Sequence, residues 1–185
     1  MRFDEFVKRK ALGKEDLVAM ANGTLVSDAP GEFPLIPAPP FLMVDRVTSI
    51  HRAESRGRIV AERDVSQGDW FFECHFKGDP LQPGSLGVEA VMQLVGLYCA
   101  AVGARGSIRA LGCKEVELTG EVRPTDRVVR YEVDIRRFMQ LGESAIAVGN
   151  GRMFVDDRPF GAVEGAKVGC FRGVGYQAYL AGAQR

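Results

Sequence analysis

The stretch Trp70–Ala101, WFFECHFKGDPLQPGSLGVEAVMQLVGLYCAA, decides the fold. It joins an aromatic segment holding one histidine, a Pro/Gly-rich turn, and an almost wholly apolar helix with one carboxylate inside it. Leu86, Val88, Ala90, Val91, Met92, Leu94, Val95, Leu97 and Tyr98 leave no polar stripe, which places the helix inside a core and not on a surface. Glu89 interrupts that run. Its neighbours on the same helix face, Ser85, Leu86, Met92 and Gln93, include no base, so no local ion pair offsets the cost of burying its charge. Desolvation without a partner raises a carboxyl pKa, so Glu89 is expected to be protonated near neutrality and able to donate a proton.

Upstream, His75 sits among Trp70, Phe71, Phe72 and Phe76 and is one of only 2 histidines in the chain. An imidazole against apolar walls stays neutral and can accept a proton. The linker Lys77–Gly84 ends by aiming the free backbone N–H groups of a helix N-terminus forward, and Gly84 and Gly87 let a substrate carbonyl approach closely. Base, acid and oxyanion donor thus come from one short stretch. Structural readings compete with each of these. His75 can be a hydrogen-bonded core histidine, Glu89 can simply accept from backbone or from Gln93, and Asp79-Pro80-Leu81-Gln82 has the form of a capping box with Pro at N1.

The chain has 185 residues and 46% hydrophobic content, enough for one full core in a single domain spanning 1–185, with 1–28 as a helical lead-in. A formal net charge of zero leaves no basic excess to neutralise phosphates, which argues against a nucleic-acid partner. Cys74, Cys99, Cys113 and Cys170 form no CxxC pair and read as free thiols of a reducing cytoplasm. Cys74 and His75 are adjacent with no evident third ligand, so neither a metal nor a cofactor is expected. The helix around Leu86–Val102 comes nearest to a membrane span, but Glu89 and Gln93 interrupt it and no membrane partner is expected.

In chain order, Met1–Lys10 reads as a loosely held lead-in and Lys14–Ala21 as a helix stopped by Asn22-Gly23. Ala29–Pro40 is too proline-rich for anything but an extended crossing segment. Phe41–Ile50 and Arg58–Val65 are strand candidates around an Arg56-Gly57 turn, with His51 at an exposed end. Ala110–Val122 reads as one long strand. In Arg127–Phe138, Val129, Tyr131, Val133 and Ile135 alternate strictly with charged residues, which is a half-buried strand. Ala145–Val155 and Phe160–Phe171 add two more, and the Gly/Ala/Tyr segment at the end is left undefined. Long strands following one buried helix predict an α+β domain in which a curved antiparallel sheet wraps that helix.

The run His75-Phe76-x-Gly78-Asp79-Pro80-x-x-Pro83-Gly84-x-Leu86-Gly87-x-Glu89-Ala90, continuing through Gln93-Leu94-Val95-Gly96, closely resembles the bacterial 3-hydroxydecanoyl-acyl-carrier-protein dehydratase/isomerases. The resemblance extends from Leu35–Val47 through Arg109–Gly112 and Thr119–Pro124 to Lys167–Gly169, most of the chain. It implies a hot-dog fold and a homodimer with active sites at the subunit interface, the histidine from one subunit and the acid from the other. Carried over by position, the catalytic histidine is His75, the acid is Glu89, and the N–H that binds the thioester carbonyl is that of Gly84. The resemblance further implies a 3-hydroxyacyl chain on acyl carrier protein as substrate, a trans-2-enoyl product, and docking of the carrier at Arg137 and Lys167.

Two departures shape the expected activity. Glu89 stands where the dehydratase/isomerases generally have aspartate, and glutamate is usual in related dehydratases that do not isomerise. The Pro83–Ala90 wording is also similar to dehydratase domains of polyunsaturated fatty acid synthases. One extra methylene moves the acid by about a bond length, so dehydration without isomerisation to the cis-3 isomer is expected. Leu141 and Gly142 stand where a pair of arginines is expected, which implies a weaker or different carrier. Arg136 and Arg137 can instead be ordinary solvated strand residues. The rivals are a hot-dog thioesterase using Glu89 to activate water, and a non-catalytic acyl-binding subunit.

Overall fold

The computed structural model describes residues 1–176, so the terminal Gly/Ala/Tyr segment lies almost wholly outside the described residues. Two short helices, α1 (Phe3–Phe6) and α2 (Lys14–Ala21), precede strands β1 (Arg46–Ala53) and β2 (Arg56–Asp64). A 3-10 turn, Trp70–Glu73, leads to α3 (Gly84–Ala101), followed by β3 (Ser107–Gly112), β4 (Glu115–Leu118), β5 (Val128–Leu141), β6 (Ser144–Val155) and β7 (Arg158–Phe171). The strands form one antiparallel sheet in the order β1-β2-β5-β6-β7-β3, with β4 also paired to β7. Its inner face curls round α3, the hot-dog arrangement expected from the sequence.

The period-two pattern of β5 explains how the sheet grips the helix. Val129, Tyr131, Val133 and Ile135 are buried inward, whereas Glu132 on the outer face accepts from Arg58 and Arg152, each at 2.8 Å. Close approach is made possible by missing side chains. A Cβ on Gly96 of α3 would meet Ile108 at 2.7 Å, and one on Gly151 of β6 would meet Val91 at 2.6 Å. By length and composition α3 could cross a membrane, but 78% of it is buried inside this chain, so its apolar surface is already spent in the core.

Four expectations need correction. Residues 1–10 are not loosely held: Phe6 is buried edge-on against Phe33, with centroids 5.2 Å apart, and the Met1 ammonium donates to the Leu25 carbonyl at 2.7 Å. Strand β1 begins at Arg46 and not at Phe41, because the Gln93 side chain on α3 claims the backbone of Phe41 and Met43. Arg56 and Gly57 open β2, so the turn falls before them. The long strand expected over Ala110–Val122 is two short ones. The register shifts between Ala110 and Gly112, where Gly112 takes φ +139°, and Thr119 leaves the sheet with its N–H on the Phe160 carbonyl.

Candidate active site

His75 is held by backbone. The rings of Phe71 and Phe72, 4.6 Å apart and edge to face, anchor the 3-10 turn in the core, and the Phe71 carbonyl accepts the His75 N–H at 2.8 Å. Reciprocal bonds between Phe76 and Asp79, both 2.9 Å, close a tight loop, and the Leu81 N–H returns to the His75 carbonyl at 2.8 Å. The imidazole itself is half-buried, with Nδ1 3.0 Å from the Leu81 carbonyl oxygen. A carbonyl can only accept, so Nδ1 carries the proton of the neutral ring and the lone pair lies on Nε2. The apolar walls expected around His75 reduce to one: the ring stacks on Phe76 at 4.0 Å, while Phe71 and Phe72 turn into the core and Trp70 is exposed.

Asp79–Gln82 is not a capping box. Asp79 pairs with Arg123, the Gln82 N–H donates to the Val122 carbonyl at 2.9 Å, and α3 starts later, with Pro83 as N-cap and no side-chain cap. Gly84 is the first helical residue, so its N–H has no partner within the helix and points out of the N-terminus. A side chain there would strike Leu118 Cδ1.

Glu89 lies one and a half turns further along. It is half-buried and not fully buried, and it has the partner that the structural reading of the sequence offered: Gln93 Nε2 donates to Glu89 Oε1 at 3.0 Å. The same amide donates to the Phe41 carbonyl at 2.8 Å and accepts the Met43 N–H at 2.9 Å, so the carboxyl group is tied through one buried side chain to the segment crossing the helix. Glu89 faces an open cavity of about 260 Å³ walled by Leu35, Ile36, Met92, Ile108 and Val168, and His75 is not among the lining residues. Among the described residues no cluster of three or more His, Cys, Asp or Glu could hold a metal ion.

A family model described as the FabA-like domain matches residues 36–162, well over half the chain and including His75, Gly84 and Glu89. The chain belongs to the FabA-like family. Among solved structures, the dehydratase heterocomplex ApeI:P from Xenorhabdus doucetiae is similar with TM-score 0.53 and 11% identity, over 80% of this chain and 92% of that one. The MaoC-like dehydratase from Rhodospirillum rubrum gives TM-score 0.46 and 16% identity, over 65% and 94%. The first likeness is one of fold.

The FabA-like match ends before Lys167 but includes Arg137. Arg137 pairs with Val148 on β6, and Val148 pairs with Lys167 on β7, so the two cations lie in one row across three strands. Two strand spacings separate them by about 10 Å. Both are exposed on the outer face, and among the described residues neither has an ion-pair partner, unlike Arg58 and Arg152 on the same face. Arg136 is the extra residue of a bulge, and Leu141 and Gly142 lie at the β5–β6 hairpin turn.

Gln93 gives a first prediction. Gln93→Leu leaves the Met43 N–H and Phe41 carbonyl without their partner, costing about 1–3 kcal/mol in chemical denaturation. It also frees Glu89 to turn, and with Glu89 as the acid proposed below, a misplacement on the order of 1 Å is expected to lower kcat roughly a hundredfold. Steady-state kinetics with unchanged KM checks this.

Proposed function

We propose that this chain is a 3-hydroxyacyl thioester dehydratase acting on chains borne by acyl carrier protein. The observation that supports this best is the His75 tautomer: the Leu81 carbonyl fixes the proton on Nδ1 and leaves Nε2 as a base. Nε2 removes the C2 proton, the C2–H electrons form the C2=C3 double bond, and the C3–O bond breaks as Glu89 gives its proton to the departing hydroxyl. Water and a trans-2-enoyl thioester result. The Gly84 N–H holds the thioester oxygen as negative charge develops on it.

In this reading the working unit is a homodimer. His75 does not line the cavity that Glu89 faces, which supports a site that takes its histidine from the second copy. Leu35 lines that opening, Leu111, Val116 and Leu118 are exposed on β3 and β4 at the free edge of the sheet, and Phe76 is exposed beside His75, apolar surface of the kind a second copy would cover. Glu89 in place of aspartate favours dehydration alone. Purified protein assayed across 3-hydroxyacyl chain lengths should release trans-2 and no cis-3 product. No turnover at any length, on carrier protein or coenzyme A, would overturn the proposal. The open setting of Glu89 also suits a carboxylate activating water, and thioester hydrolysis that survives loss of His75 would favour the thioesterase reading.

Docking of the acidic carrier is assigned to Arg137 and Lys167. Reversing both charges, Arg137→Glu with Lys167→Glu, is expected to raise KM for the carrier-borne substrate about tenfold or more, with a weaker salt dependence. Turnover of the same acyl chain on coenzyme A should not change.

A further inference from the structure

Behind the His75 loop lies a group of buried polar atoms that the proposed chemistry does not use. Gln82, 3% exposed, has neither its amide nitrogen nor its amide oxygen hydrogen-bonded to protein, and the same holds for Tyr131 OH and Arg63 Nη1, in residues 0% and 8% exposed. The sheet register puts two of them side by side. Tyr131 pairs with Ala61 and Arg63 with Val129, so Arg63 and Tyr131 project inward from adjacent strands, two residues apart. Gln82 comes close enough to influence the Tyr131 hydroxyl, whose pKa burial pushes up to about 12, so it is a neutral donor and acceptor.

Leaving such atoms unpaired in the interior is costly, whereas a water with two to four polar partners removes the cost. The donors and acceptors here are complementary for that purpose: Arg63 N–H and Gln82 N–H give, Gln82 C=O accepts, and Tyr131 OH does both.

The cluster grips both ends of the loop that carries His75. At the front, Arg63 Nη2 binds Asp69 Oδ1 at 2.5 Å, its guanidinium lies 5.1 Å from the Phe71 ring centroid, and Asp69 is the N-cap of the Trp70–Glu73 turn. At the back, Gln82 follows Leu81, whose carbonyl orients the imidazole. We propose that a buried water bridges Arg63, Gln82 and Tyr131, and that these three are positioning residues for His75, acting through Asp69 and the Leu81 carbonyl. This rests on His75 being the base.

The test compares Gln82→Met, Tyr131→Phe and the double variant, both substitutions keeping side-chain volume. Each single variant should lower kcat about tenfold with KM unchanged. The double variant should lose little more than either single one, because both remove the same bridge. Nitrogen-15 NMR of the His75 ring should show the Nδ1–H tautomer in the parent protein and a mixture with Nε2–H in the variants. A crystal structure should place a water within hydrogen-bonding distance of at least two of the three side chains. Folded variants that keep parental kcat and a pure Nδ1–H tautomer overturn the proposal, as does a direct Gln82–Tyr131 bond with no water. Failure of the base reading is separate: it shows as full turnover in His75→Ala.

Discussion

Replacement of His75 by alanine is expected to lower dehydration by about three to four orders of magnitude, the upper range for loss of a positioned general base. The fold should survive. The ring is half-buried, makes one side-chain hydrogen bond, to Leu81, and stacks on a Phe76 that is itself exposed, whereas the loop is held by backbone bonds to Phe71, Leu81 and Val122. Circular dichroism and denaturation midpoint should therefore match the parent while the rate of enoyl formation collapses. A variant retaining more than about a tenth of parental turnover would mean that another group takes the C2 proton. Hydrolysis of the same thioester, measured alongside, need not fall.

Glu89→Gln should be nearly as damaging, lowering turnover by about two to four orders of magnitude. The substitution isolates the proton from the packing. The new side chain has the same shape, and its carbonyl can still accept from Gln93 Nε2, so the link to Phe41 and Met43 is kept. What is lost is the ability to protonate the leaving hydroxyl. Exchange of the substrate C2 hydrogen with solvent, which needs only His75 and the Gly84 N–H, should fall far less than elimination. Equal loss of both would mean that Glu89 acts by binding or packing alone.

The fold was legible where local pattern and tertiary environment agree. The strict alternation in β5 and the absence of a polar stripe in α3 each admit one burial geometry, and both elements fell where expected. Reading failed where a distant side chain or strand outcompeted local preference. Phe41–Asp45 looks like strand, but an amide 50 residues away takes its hydrogen bonds. Asp79–Gln82 has the wording of a cap, yet Arg123 and Val122 claim it. The candidate site divides the same way. His75 and Glu89 were conspicuous as polar groups in apolar runs, whereas the Leu81 carbonyl that sets the tautomer is backbone and leaves no mark in sequence. Gln82 and Tyr131 were read as a cap residue and a core aromatic, because their shared burial appears only once β5 lies beside β2 and the His75 loop.

The sharing of one site between two copies is tested most directly by mixing the His75→Ala and Glu89→Gln proteins, each nearly inactive alone, and letting their subunits exchange. In a two-fold dimer, random exchange makes about half the dimers mixed, and each mixed dimer has one site with both groups intact, so turnover should recover to about a quarter of the parental rate. Recovery that never exceeds the sum of the separate variants after complete exchange would contradict an active site built from His75 of one subunit and Glu89 of the other.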